Sequence, residues 1–107
     1  MKKINFKNKT VVISGGGTGI GYQIAKSFLE AQAKVIILGR RKEVLHKSID
    51  KLAKETKISE SMAFYFKCDM SDQKSLSKIS KEIQSKFNHI DIMINNSSTW
   101  SLEKISE

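Results

Sequence analysis

A chain of 107 residues can bury one modest core, and its 39% hydrophobic content places it among globular rather than disordered sequences. The formal net charge of +8 invites a polyanion-binding reading. Beyond the lead-in Lys2, Lys3, Lys7 and Lys9, however, the cations are dispersed among Asp and Glu with no interleaved aromatics, which describes solvated surface and argues against a specific nucleic-acid site. Cys68 is the single cysteine, no apolar run approaches the ~20 residues of a membrane span, and Met1-Lys2-Lys3 opens no apolar leader. A reducing, cytoplasmic setting with no membrane contact is therefore expected.

The first predicted strand is Thr10-Val11-Val12-Ile13, and it runs directly into Ser14-Gly15-Gly16-Gly17-Thr18-Gly19-Ile20-Gly21. A glycine-rich turn between a strand and a helix takes positive φ angles and lets a pyrophosphate approach the backbone, while the N–H groups opening the helix point at the anion. Behind it, Ile20, Ile24 and Phe28 recur every four residues, with Ala25 and Leu29 beside them, and predict a helix whose apolar stripe packs on a sheet. Lys34-Val35-Ile36-Ile37-Leu38 is the nearly continuous apolar run of a parallel strand covered on both faces. Val44, Leu45, Ile49 and Leu52 mark a second helix, and Ala63 to Cys68 a third strand in which Cys68 is a small buried hydrophobe. Ser71 is the expected N-cap of a third helix, with Asp72 in its first turn and Leu76, Ile79, Ile83 and Phe87 at helical spacing. Ile90 to Ile94 is a fourth strand, broken only by Asp91, and Leu102 to Glu107 opens a further helix.

Strict strand and helix alternation predicts an α/β fold: parallel strands with right-handed crossovers, the first half of a Rossmann-type doubly wound sheet in the order 3-2-1-4. A ligand then lies outside the carboxyl ends of the strands, where strands 1 and 4 diverge. The end of the second strand bears on the choice of ligand. Asp or Glu about 20 residues past the turn binds a ribose 2′-hydroxyl, whereas Arg there pairs with a 2′-phosphate. This chain has Gly39-Arg40-Arg41 and no carboxylate until Glu43, which favours NADP over NAD.

The spacing Gly15-x-x-x-Gly19-x-Gly21 resembles the turn of the short-chain dehydrogenase/reductase family, with Ser14 where that family usually has Thr. Gly39-Arg40-Arg41, Cys68-Asp69-Met70 and Asp91-Ile92-Met93-Ile94-Asn95-Asn96 match the family in order at the next three strand ends. The resemblance covers nearly all of residues 1–107 and implies one NAD(P)-binding domain, the cofactor-binding half of a family member. It implies that Ser14, Gly15, Gly17, Thr18, Gly19, Ile20 and Gly21 surround the pyrophosphate, and that Arg40 meets the 2′-phosphate, supported by Arg41 or Lys42. Asp69 is matched to the residue that contacts the adenine amino group, Met70 to a wall of that ring, and Asn96 to a residue beside the ribose that ties the fourth strand to its neighbours. Ser97 and Ser98 replace the family's Ala and Gly, putting larger residues where the backbone is normally bare.

The family's chemistry is hydride transfer between the nicotinamide and a substrate, with a Tyr as general acid or base, a Lys four positions later and a Ser aligning the substrate. By this resemblance all three belong beyond Glu107, so no catalytic residue is assigned. Tyr22 and Lys26 have the Tyr-x-x-x-Lys spacing, but on the helix beside the phosphate turn, where Tyr22 is expected at the surface against a neighbouring loop. His46 and His89 are isolated, expected to face solvent, and no metal site is anticipated. Trp100 is assigned either to the cleft mouth or to covering apolar surface.

The resulting expectation is the NADP-binding portion of a short-chain dehydrogenase/reductase that, in a full-length protein, reduces a carbonyl or enoyl substrate. The glycine run looks most like the enoyl-CoA and 2,4-dienoyl-CoA reductase branch, although keto-reductases share much of it. The competing classes are a non-catalytic nucleotide-binding or interaction module and, third, a nucleic-acid binder. With four strands the outer edge of the last is unpaired, so self-association or uptake of a complementing C-terminal fragment is expected.

Overall fold

The computed structural model describes residues 5–15, 17 and 19–96. The elements run β1 (Thr10–Ser14), α1 (Gly19–Glu30), β2 (Lys34–Gly39), α2 (Lys42–Thr56), a short 3-10 turn (Glu60–Met62), β3 (Ala63–Lys67), α3 (Gln73–Phe87) and β4 (Ile92–Asn95). All neighbouring strands pair in parallel, in the order β3-β2-β1-β4. This is the predicted half of a doubly wound sheet. The Thr18, Ser97, Ser98 and Trp100 assignments, and the helix opening at Leu102 to Glu107, lie outside the described residues.

Alternation along the central strands builds two cores. Val11, Ile13, Val35 and Ile37 face α1 and α2, where Ala25, Leu29, Leu45, Ile49 and Leu52 complete one cluster. Val12, Ile36 and Leu38 face the other way, onto Ile83 of α3 and Cys68. Phe64 meets Phe87 edge-on there at 4.8 Å between ring centroids. Cys68 is buried, as its sequence context implies, with Ser75 Oγ 3.6 Å from its sulfur. Continuous apolar strands in the middle of the sheet thus follow from having helices on both faces.

Three sequence expectations are corrected. The face of α1 that meets the sheet carries Gly21, Tyr22, Ala25 and Leu29, whereas Ile20 is 71% exposed and Ile24 and Phe28 are half-buried. Gly21 contributes nothing to a hydropathy pattern, yet it is the point of closest approach and so rotates the helix away from the Ile20 stripe. The N-cap of α3 is Asp72, not Ser71: the Asp72 carboxylate accepts the Lys74 N–H at 3.0 Å. Ser71 is instead engaged by Asp69, as described below.

Tyr22 is buried rather than superficial. Its hydroxyl donates to Glu55 Oε1 on α2, Lys26 Nζ lies 4.0 Å from the same oxygen, and Lys51 Nζ sits 4.8 Å from the Tyr22 ring centroid. These groups clamp α1 to α2. The bond from Tyr22, aided by Lys26 and Lys51, outweighs desolvation and holds the Glu55 carboxyl below its ordinary range. Burial first, and then Glu55, push the Tyr22 hydroxyl well above the ordinary tyrosine value. The folded chain therefore retains a proton that the unfolded chain releases above about pH 10. Stability from this group is complete below pH ~10 and declines as pH rises beyond it. Urea melts of the wild type and Tyr22→Phe should converge as pH is raised from 9 to 11, after a deficit of about 1 kcal/mol for the variant at neutral pH. A gap independent of pH would refute the clamp.

At the amino ends of β1 and β4, Asp91 closes the sheet. Its Oδ2 accepts the Thr10 N–H at 2.8 Å, and its own N–H donates to the Thr10 carbonyl at 2.9 Å. His89 Nε2 lies 3.3 Å from the same carboxylate, and Lys9 Nζ 3.9 Å. Both histidines are exposed, His46 meeting Tyr65 edge-on. Among the described residues, β4 pairs only with β1, and Met93 on it is 52% exposed. No helix among these residues is long and apolar enough to cross a membrane.

Candidate functional site

The carboxyl ends of all four strands point to one edge of the sheet, and the sequence-derived site residues gather there. Ser14 ends β1 with its side chain wholly buried. Its hydroxyl donates to Asn95 Oδ1 at 2.9 Å and accepts the Asn96 N–H at 2.9 Å. Asn96 does tie β4 to β1, but through its main chain. Its side-chain amide faces Gly21 instead.

Gly15 and Gly19 hold φ angles of 68° and 59°, the left-handed region that favours glycine. At Gly21 the constraint is space. An added Cβ would overlap the Gly15 carbonyl oxygen, and would stand 2.8 Å from its carbon and 2.7 Å from Asn96 Nδ2. The start of α1 therefore lies directly on the strand-end turn, and the first N–H groups of a helix lack partners within it. Such a glycine backbone fits the pyrophosphate of a dinucleotide, since at Gly15, Gly17, Gly19 and Gly21 no side chain can stand between an anion and the N–H groups. Ile20 stands exposed beside it.

The next two strand ends supply charge. Arg40 and Arg41 are exposed between β2 and α2, and Arg41 is the extended N-cap residue, whose carbonyl accepts the Leu45 N–H. Asp69 follows β3, where Cys68 N–H donates to the Gly39 carbonyl and brings the two strand ends together. Asp69 Oδ1 accepts the Ser71 hydroxyl at 2.7 Å and the Ser71 N–H at 3.0 Å. The Ser71 hydroxyl first, then its N–H, and finally the nearby Arg40 charge hold the Asp69 carboxyl below its usual range, against a smaller desolvation effect. Arg40 and Asp69, 29 positions apart in sequence, are therefore neighbours across one strand gap. Met70 follows at the same edge, packed against the α3-side core.

Sequence reasoning missed the back wall of the glycine turn. Between α1 and α2 a groove of about 390 Å³ is lined by Gly17, Gly19, Val44, Lys47, Ser48 and Lys51, among others. Ser48 Oγ donates to the Gly17 carbonyl within it. The available signal was a serine on the apolar face of the second helix.

A family model described as short chain dehydrogenase matches residues 9–107. The chain belongs to the short-chain dehydrogenase family. It is 34% identical over 92 residues to a fatty acyl-CoA reductase of Acinetobacter baylyi, covering 86% of this chain and 30% of that protein. It is 37% identical over 92 residues to a probable 2,4-dienoyl-CoA reductase of Caenorhabditis elegans, covering 85% of this chain and 29% of that one. Among solved structures, L-sorbose reductase of Gluconobacter frateurii, crystallised with NADPH and L-sorbose, superposes with a TM-score of 0.81 at 25% identity, over 99% of this chain and 39% of that one. Menthone neomenthol reductase of Mentha piperita gives 0.79 at 28% identity, over 86% and 32%. This chain thus spans about 30% of the length of the curated short-chain dehydrogenases it matches. The portion it spans carries the parallel sheet of order β3-β2-β1-β4, half of a Rossmann-type fold.

Proposed function

We propose that this chain binds NADP and forms the cofactor site of a short-chain reductase acting on a carbonyl or enoyl group. The observation that carries the reading is the pairing of a glycine-rich turn, closed by Gly21 against Gly15, with Arg40 exposed near Asp69 at the neighbouring strand ends. In this reading Ser14, Gly15, Gly17, Thr18, Gly19, Ile20 and Gly21 shape the pyrophosphate cradle. Arg40 pairs with the 2′-phosphate, Arg41 adds charge, Asp69 and Met70 hold the adenine, and Asn96 stands beside the ribose. The bound dinucleotide supplies a hydride to an electrophilic carbon. This chain's residues bind and orient it.

Cofactor choice rests on charge. A 2′-phosphate near Arg40 gains a charge-assisted pair, whereas a carboxylate at the same place would repel it and favour the free hydroxyl of NAD. Because Arg40 is exposed, solvent screening limits the gain to about fivefold in affinity. Fluorescence titration should therefore give NADPH binding about fivefold tighter than NADH, and Arg40→Asp should erase or invert the ratio. Equal affinities in the wild type, unmoved by the substitution, would overturn the NADP assignment. The enoyl-CoA reductase branch is supported by the likeness to the 2,4-dienoyl-CoA reductase of C. elegans, and is tested by turnover of enoyl-CoA against simple ketones in the full-length protein.

A further inference from the structure

The buried face of α2 reads Leu45, Ser48, Ile49 and Leu52, so one polar side chain occupies a position where helix periodicity calls for an apolar one. Ser48 is only 5% exposed. A buried hydroxyl is costly unless bonded, and this one is satisfied by the Gly17 carbonyl, 31 positions earlier, in the glycine turn. The surrounding packing is as close. A Cβ added to Gly17 would stand 3.1 Å from Val44 Cγ1, 3.6 Å from Ser48 Oγ and 3.7 Å from Leu45 Cδ2, and one added to Gly39 would stand 3.1 Å from Leu45 Cδ2. The first two turns of α2 therefore press on the glycine turn and on the end of β2 together.

Two physical consequences follow for a phosphate cradle. An anion is bound by N–H groups, and any carbonyl oxygen swung toward it is repulsive. A run of glycines samples many such orientations, because it has the largest backbone freedom to lose on ordering. A side chain that captures one carbonyl from behind removes the unfavourable orientations before the ligand arrives, and affinity rises through preorganisation.

We propose that Ser48 is a positioning residue of the phosphate turn: its hydroxyl holds the Gly17 carbonyl against α2 and keeps that oxygen out of the anion's place. The proposal rests on the dinucleotide reading above. It implies that Ser48 acts on the pyrophosphate common to both cofactors and not on the 2′-phosphate.

The test compares wild type, Ser48→Ala, Ser48→Thr and, as a packing control on the same helix, Ile49→Val. Amide hydrogen exchange in the ligand-free chain and affinities for NADPH and NADH are measured for each. Ser48→Ala should speed exchange of the turn between residues 14 and 21 and weaken NADPH and NADH alike, each by roughly fivefold to tenfold, leaving their ratio unchanged. Ser48→Thr should restore both readouts, and Ile49→Val should leave the turn's exchange unmoved. Unchanged turn exchange in Ser48→Ala with NADPH binding intact would overturn the proposal and leave the cofactor reading standing. Faster turn exchange in Ser48→Ala, together with a wild-type chain that binds neither dinucleotide, would overturn the cofactor reading and with it the binding role of Ser48. Loss confined to NADPH would also overturn the proposal, since it would place Ser48 at the 2′-phosphate.

Discussion

Gly21→Ala is expected to destabilise the chain by about 3 kcal/mol, at the upper end of the range for overpacking a buried contact. The obstruction is backbone: the Gly15 carbonyl group and the Asn96 amide occupy the place a Cβ would take, so relief requires α1 to lift off the end of β1. Gly19→Ala is the control. Nothing lies within 4 Å of a Cβ there, and the only penalty is the positive φ of 59°, costing about 1 kcal/mol. Thermal melts followed by circular dichroism should show a fall on the order of 15 °C for Gly21→Ala and about a third of that for Gly19→Ala. Dinucleotide binding, on the function proposed, should vanish in Gly21→Ala. Equal losses would mean that the turn adapts, and that helix packing on it is not tight.

Ser14→Ala is expected to cost about 2 kcal/mol, because the lost hydroxyl is both acceptor for the Asn96 N–H and donor to Asn95 Oδ1. Asn95 is exposed and can recruit water, so most of the loss falls on the half-buried Asn96 N–H. The damage should be local. Hydrogen exchange should accelerate in β4, held to the sheet along one edge by β1, while β2, flanked on both sides, keeps its protection. Ser14→Thr retains an oxygen at the same position and should restore β4. Uniform acceleration through the sheet would instead indicate a global role for Ser14.

The strands were legible because a parallel strand covered by helices must be apolar on both sides, and Val35 to Leu38 and Val11 to Ile13 show that run directly. Their order followed from the handedness of strand-helix-strand connections, which admits few arrangements. The glycine turn was legible because positive φ and bare backbone are properties of residue type. The facing of α1 was not, since a contact made by the absence of a side chain at Gly21 leaves no mark in hydropathy, and Ile20 supplied a false one. The α3 cap was misread by one residue because Ser71 and Asp72 are equally good caps, and the choice fell to Asp69, which engages Ser71 first.

By itself, then, the sequence determined the elements, their parallel order and the set of residues at the carboxyl ends of the strands, because these depend on local residue chemistry and chain connectivity. Only the tertiary structure decided which distant groups meet: Tyr22 with Glu55, and Ser48 on the Gly17 carbonyl. Each of these contacts joins groups 31 or more positions apart. Their partners are selected by how helices settle onto the sheet. That rotation and depth are set by packing over many side chains at once, and no periodicity within a single segment encodes them.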